Sequence, residues 1–297
     1  MWYTPAESPD TSSIGREDAI SVMKGTEPPS DAALAESFTA IAIEASLKIL
    51  AVDFRNAGAR LKTDSSPVTL ADEAAHATIC TGLRRVLPDM PVVSEEACEL
   101  WRGRAPGAEF ILVDPLDGTA EFLAGRLEYT INIALVRDGV PTVGVVAAPA
   151  LGLIWRGARG HGAARIRFSA GGNESPRQAE VIHTRPWPDH APVVAVSRSH
   201  FDAVSAAFLD RLGATQETAC GSALKFARLA EGSADLYPRL APTSEWDVAA
   251  GHALVGAAGG IVLAADRSPL RYGRSHVGFR VDGFTAWGDP AAAARFA

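Results

Sequence analysis

Apolar residues recur at helical spacing from Asp31 to about Phe54, with Ser30 or Asp31 placed to cap the start, and this predicts a first helix. A polar loop from Lys62 to Pro67 follows. Thr69 with Asp72 three residues on has the form of a capping box, and a second helix is expected from there to about Leu87, where Pro88 ends it. The pattern then changes. Residues 91–94 form a short β-like run and Phe110–Val113 reads as a buried strand, with Pro115 expected to stop its ladder. Tyr129–Val136 and Thr142–Ala148 read as strands joined through Asp138-Gly139, a strong hairpin signal, and Leu151–Arg156 continues the meander.

Residues 158–190 are rich in Gly, Arg and Pro and read as irregular. Beyond them come a strand at 193–197, a helix around 201–213, a helix at 222–231, a strand at 234–238, a helix at 246–257 and a strand at 260–264. No internal repeat of fixed period is visible. An antiparallel meander followed by α/β alternation predicts a layered α/β sandwich. Three segments are expected: a flexible extension over 1–31, an α+β half over 32–165 carrying the chemistry, and an α/β half over 166–297. Residues 1–31 are rich in Ser, Pro, Asp, Glu and Gly and show no periodicity. Met23 is a second candidate start.

Composition narrows the function classes. The chain has 297 residues, 47% hydrophobic and 21% charged, which fits a globular body with a sizeable core. The net charge of −7 argues against a nucleic-acid partner. An acidic protein can still take a phosphorylated small molecule if a local cation supplies the attraction. The three cysteines, Cys80, Cys98 and Cys220, are widely spaced, so neither a disulfide framework nor a thiolate metal site is supported. The first residues lack a basic and apolar signal pattern, and no apolar run reaches the roughly 18 residues of a membrane span. A cytoplasmic protein is expected, with peripheral association at the cytoplasmic membrane face left open.

The candidate chemistry lies in Asp114-Pro115-Leu116-Asp117-Gly118-Thr119. A carboxylate at a strand end, a second one close by and the Leu116 carbonyl between them make a hard oxygen set that suits Mg²⁺ rather than Zn²⁺. Gly118 allows close backbone approach, and the Gly118–Thr119 amides opening a helix suit a phosphate. An Asp-Gly turn alone is common, but the full run after an apolar strand is not. Ser94-Glu95-Glu96 also follows a short strand, although a Glu pair is ordinarily a solvated loop. Asp72 reads equally as a helix-cap acid, and Asp247 as an ordinary acid at the start of a helix. Four acidic sites, each at an element end, point together to a metal centre.

These residues resemble the inositol monophosphatase superfamily. Asp114 to Thr119 resembles its first signature and Trp246-Asp247 through Gly251 its second. Further similar stretches are Lys62 to Asp72, Val93 to Glu96, Tyr129 to Leu135, Ser197 to His200, Gly221 to Phe226, Leu236 to Arg239 and Gly278 to Val281, so the resemblance covers about residues 34–283. Glu121-Phe122 after the first signature is similar to the bacterial 3'(2'),5'-bisphosphate nucleotidase branch rather than to the inositol branch.

The resemblance implies a layered α-β-α-β-α sandwich and a Mg²⁺-dependent phosphatase with two or three ions per site. It implies Glu95, Asp114, the Leu116 carbonyl, Asp117 and Asp247 as metal ligands, and Asp72 and Thr119, with metal-bound Glu95, as the group that activates water. It places Asp117, Gly118, Thr119, His200, Ser222, Lys225, Arg239 and Asp247 beside the substrate. Lys225 or Arg239 taken singly would more often be a solvated surface charge. The implied substrate is adenosine 3',5'-bisphosphate, cleaved to AMP and phosphate, with the related phosphosulfate nucleotide as a second. The alternative is an inositol or sugar phosphate monoesterase, and a more distant one is a nucleotide sensor without turnover. Monomer and homodimer are both open. Glu245 departs from the pattern, and an acid on the substrate side would weaken anion binding.

Overall fold

Leu34, Phe38, Ile41, Ala45 and Ile49 form one buried stripe on helix α1 (Asp31–Leu50). A two-stranded ribbon, β1 (Arg60–Leu61) with β2 (Pro67–Val68), leads into α2 (Leu70–Val86), whose stripe is Ala71, Ala75, Ile79 and Leu83. The expected capping box at Thr69 and Asp72 is present at its start. This computed structural model describes residues 29–61, 67–169, 178–198, 202–213 and 215–296. The expected extension over 1–31 and the residues between Leu61 and Pro67 therefore lie almost wholly outside the described residues.

Both stripes bury against one face of a seven-stranded sheet. Its strands run in sequence order: β3 (Val92–Ser94), β4 (Glu109–Asp117), β5 (Thr130–Arg137), β6 (Val140–Ala148), β7 (Leu153–Ala158), β8 (Gly162–Arg167) and β9 (Glu180–Ile182). Only β3 and β4 are parallel; the other pairs are antiparallel. Asp138 and Gly139 both take positive φ, the turn geometry that closes a tight hairpin. A short helix, α3 (Thr119–Leu123), follows β4.

The second sheet has five strands in the order β11 (Gln216–Cys220), β10 (Val193–Ser197), β12 (Leu236–Arg239), β16 (Phe284–Trp287) and β14 (Ile261–Ala264). A ribbon of β13 (Thr243–Ser244) and β15 (Arg280–Val281) stands beside it. Between the sheets lie α5 (Leu224–Ala230) and α6 (Glu245–Ala258), and the core they form takes side chains from both sheets. Helices α4 (Ala203–Leu212) and α7 (Pro290–Phe296) cover the outer face of the second sheet. The order is helix, sheet, helix, sheet, helix, as expected.

Helix α6 is apolar nearly all round because both of its sides are covered. It can lie close to the first sheet because two sheet positions lack a Cβ. A Cβ on Gly144 would stand 2.2 Å from the Ala250 carbonyl, and one on Gly157 would stand 2.9 Å from the Leu254 Cα. This close approach sets the start of α6, and Asp247 with it, against the end of β4.

Two expectations need correction. Residues 158–190 are not wholly irregular, since β8 and β9 extend the first sheet. Arginine on β8, an inner strand between β7 and β9, is tolerated here because Arg165 pairs with Glu180 and Glu231. Pro115 does not stop the ladder: β4 runs on to Asp117 through a register shift, and a bulge is where a strand accommodates proline.

Candidate active site

Parallel pairing sets Ser94 beside Val113, so the next residues, Glu95 just past the end of β3 and Asp114 within β4, come side by side. The bulge then performs a second alignment. On β5, Asn132 pairs with Asp114 and Thr130 pairs with Asp117. A two-residue step on β5 thus matches a three-residue step on β4, which turns Asp114 and Asp117 to the same face. Leu116 turns the other way, into the core under α1 and α2.

Asp114 is 1% exposed, and its Oδ1 accepts the Leu116 N–H at 3.0 Å. Burial, then the charges of Glu95, Asp117 and Asp247, push its carboxyl well above the usual range. Burial and Asp247 push Asp117 up to about 6, and this rise is opposed by Lys225 and Arg239. Asp114 and Asp117 are thus both raised by burial and then by neighbouring acids, the signature of acids that need a cation between them. Among the described residues no three such side chains stand close enough to hold an ion as they are. Their oxygens are engaged elsewhere: Asp247 accepts from the Thr243 hydroxyl and from the Ser244 N–H at 3.2 Å. Hard oxygen ligands, mutually repelling and within reach of one space, fit a divalent cation such as Mg²⁺.

Asp72 and Asp247 occupy the same place in two helices, the third position after the cap. Asp72 Oδ2 accepts from the Thr69 N–H at 2.7 Å and its hydroxyl at 2.6 Å, while Oδ1 faces the Thr119 hydroxyl at 3.1 Å. That hydroxyl also lies 3.2 Å from the Leu116 carbonyl. Burial raises the Asp72 carboxyl, and the Thr69 and Thr119 hydrogen bonds oppose this only in part.

Gly118 has φ +94, and a Cβ there would stand 2.3 Å from Ser222 Oγ. The Ser222 hydroxyl lies between the Asp117 carbonyl at 2.9 Å and the Glu128 carbonyl at 3.0 Å. Lys225 is not the solvated surface charge that its residue type alone suggests. It is 2% exposed, donates to the Ser222 carbonyl at 2.7 Å and the Cys220 carbonyl at 3.3 Å, and lies 5.1 Å from the Tyr237 ring centre. Arg239 has a buried Nε without a hydrogen-bond partner, and its charge acts on both Asp117 and Asp247.

An open cleft of about 1000 Å³ brings together Glu95, Asp114, Leu116, Asp117, Gly118, Thr119, Ser222, Lys225, Arg239 and Asp247. Asp72 does not line it and reaches it through Thr119. His200 lies outside the described residues. Glu245 is not on the substrate side: it is fully buried and accepts the Gly273 N–H at 2.6 Å and the Arg274 N–H at 2.9 Å. It anchors a loop rather than facing an anion.

Sequence reasoning missed the Glu128–Arg198 pair. Arg198 donates twice to Glu128, at 2.8 and 2.9 Å, and Glu128 also accepts the Gly221 N–H at 3.1 Å, fixing the turn that presents Ser222. Seventy residues separate the two, so no local spacing could reveal them. Thr130 was missed too; its hydroxyl lies 3.4 Å from Asp117 Oδ2. Its cross-strand position opposite Asp117 follows only once the bulge is known.

Comparison with known proteins settles the family. The inositol monophosphatase family model matches residues 32–283. The chain belongs to the inositol monophosphatase family. Among curated relatives, the 3'(2'),5'-bisphosphate nucleotidase CysQ of Escherichia coli K12 is 46% identical over 71% of this chain and 81% of its own length. The CysQ nucleotidase of Salmonella typhimurium is 47% identical over 67% of this chain and 76% of its own. A crystal structure of CysQ from Bacteroides thetaiotaomicron, a bacterial member of the inositol monophosphatase family, superposes with a TM-score of 0.70 at 33% identity, covering 86% of this chain and 96% of that one. Among the described residues of this family member, no helix is long and apolar enough to cross a membrane.

Proposed function

We propose that this chain is a phosphoric monoester hydrolase that removes the 3'-phosphate of adenosine 3',5'-bisphosphate, leaving AMP and phosphate, and that the related phosphosulfate nucleotide is a second substrate. The observation that carries the reading is the pairing of two unlike walls in one cleft. The bulged end of β4 turns Asp114 and Asp117 into the cleft that Glu95 and Asp247 also line, and buried Lys225 and half-buried Arg239 bring positive charge to the same cleft. An acidic wall alone would repel a phosphate. Its similarity to the CysQ nucleotidases supports the choice of substrate.

Glu95, Asp114, the Leu116 carbonyl, Asp117 and Asp247 would hold two or three Mg²⁺ ions. When bound, such ions neutralise phosphate oxygens and lower the pKa of a coordinated water. The chain's own residues supply the proton route and the grip. Thr119 Oγ1 can accept a proton from an attacking water while passing its own to Asp72 Oδ1. A carboxyl raised by burial is a better base near neutrality than a free aspartate. Lys225 and Arg239 offset the charge of the phosphate that is kept, and the Glu128–Arg198 pair holds the Ser222 turn in place beneath it. A cytoplasmic location fits this chemistry.

The test is phosphate release from adenosine 3',5'-bisphosphate and from inositol 1-phosphate, each with and without Mg²⁺. Faster turnover of the nucleotide, and only with Mg²⁺, supports the reading. Faster turnover of inositol 1-phosphate would make the chain a general monoesterase, and binding without release would make it a sensor.

A further inference from the structure

One flank of α2 carries a polar stripe that the chemistry above uses only at its first member. Asp72, His76 and Cys80 follow at four-residue spacing, so they stack along one side of the helix. Asp72 reaches Thr119 at the start of α3, just past β4. One turn on, His76 Nδ1 lies 2.9 Å from Ser94 Oγ at the end of β3. The stripe therefore ties α2 to the exits of both strands that deliver Asp114 and Glu95.

Ser94 is fully buried and stands at the N-cap of the turn Glu95–Trp101. A serine there ordinarily spends its hydroxyl on the first free N–H groups of the turn. This one makes no such bond. Its partner is the imidazole instead. At the far end of the same segment, Trp101 Nε1 donates to the Val92 carbonyl at 3.2 Å, back on β3. Between the two anchors, Ala97 leaves helical geometry with φ −137. A segment broken in its middle does not hold its own shape by helical hydrogen bonds, so its ends determine where it lies.

Cys80 Sγ is 3.9 Å from His76 Nδ1 and 3.7 Å from Nε2. A sulfur nearly equidistant from both nitrogens aims along the axis of neither. It packs against the ring and leaves Nδ1 to Ser94. Burial, helped by the charge of Arg84, holds the imidazole below its ordinary pKa and so neutral. A neutral ring can accept the Ser94 proton or donate its own to Ser94 Oγ, and either way fixes the hydroxyl.

We propose that His76 is a positioning residue for the metal centre: by gripping the Ser94 hydroxyl it fixes the exit of β3 and so the placement of the Glu95 carboxylate. The proposal rests on the reading of Glu95 as a metal ligand. It predicts that loss of His76 weakens metal binding without removing a ligand.

The experiment uses the full chain, stripped of metal and titrated with Mn²⁺ by calorimetry, alongside the Mg²⁺ dependence of phosphate release. His76→Ala and Ser94→Ala should each weaken Mn²⁺ binding about tenfold and raise the half-saturating Mg²⁺ by the same factor, the scale of losing an outer support of a ligand. His76→Asn, whose amide can occupy the place of Nδ1, should restore most of the affinity. A merely structural histidine would lower the melting temperature and leave metal affinity unmoved in the folded fraction. Glu95→Gln separates this proposal from the reading beneath it. A metal-deficient Glu95→Gln beside a His76→Ala of parental affinity overturns the positioning role alone. A Glu95→Gln with parental affinity overturns both.

Discussion

Replacing Gly118 by alanine isolates the contact between the exit of β4 and the Ser222 turn. Two costs can be worked from the structure. The backbone there has φ +94, a conformation that burdens a residue with a Cβ by about 1–2 kcal/mol. The new Cβ would also stand 2.3 Å from Ser222 Oγ and 3.4 Å from the Glu128 carbonyl, so the hydroxyl must leave. Its single proton is shared between the Asp117 and Glu128 carbonyls, and its displacement costs about one hydrogen bond, roughly 1–2 kcal/mol with the carbonyl left unmet. The sum is about 2–4 kcal/mol. In a Ser222→Ala background the second cost is already spent, and Gly118→Ala should cost only about 1–2 kcal/mol. Urea unfolding of the parent, both single variants and the double variant closes the cycle. A coupling of about 1–2 kcal/mol is expected. Equal costs in both backgrounds, within about 0.5 kcal/mol, would refute the placement of Ser222 over Gly118.

Asp72→Asn should lower kcat about 100-fold or more while KM changes little, because the amide cannot take the proton that Thr119 delivers; steady-state kinetics with the bisphosphate decides it. Lys225→Met should reduce use of adenosine 3',5'-bisphosphate more than use of a simple phosphate monoester, and equal losses in the two assays would remove Lys225 from the grip on the second phosphate. The same variant removes a positive charge that opposes the rise of Asp117 above its ordinary range, so at limiting Mg²⁺ the acid limb of its pH–rate profile should move to higher pH. Glu245 is raised by burial from 4.5 to about 7, so between those values the folded chain binds more protons than the unfolded one and this group's contribution to stability falls as pH rises. Glu245→Gln has no such dependence. Between pH 4 and 8 its stability relative to the parent should therefore climb by about 3 kcal/mol, read by urea unfolding across that range.

The helices, the hairpin and the layer order were legible because periodicity, caps and the Asp138-Gly139 turn are local signals. The acids were legible too, but as ambiguous residues. Asp72 reads as either a helix-cap acid or a site acid, and the structure gives it both places at once: one oxygen faces the cap and the other faces Thr119. Asp247 likewise accepts the Ser244 N–H at the cap while its residue lines the cleft. What stayed hidden depends on partners distant in sequence. The burial of Lys225 follows from two carbonyls and a tyrosine ring gathered by the turn around it. Glu245 looked like an acid on the substrate side because it directly precedes Trp246-Asp247 of the second signature, whereas its own side chain turns to the 273–274 amides. Strand β11 is mostly exposed and polar, so no apolar alternation marked it, and the Arg residues of β8 concealed a strand until their acidic partners were in place.

The central claim is that one phosphate is removed while the other is held. The most direct measurement follows the reaction of the metal-stripped chain with adenosine 3',5'-bisphosphate by phosphorus NMR as Mg²⁺ is added back. The account predicts no reaction without Mg²⁺ and, with it, loss of the 3'-phosphate signal alone, with inorganic phosphate and 5'-AMP rising together. Release of the 5'-phosphate, or turnover that proceeds unchanged without a divalent cation, would contradict it.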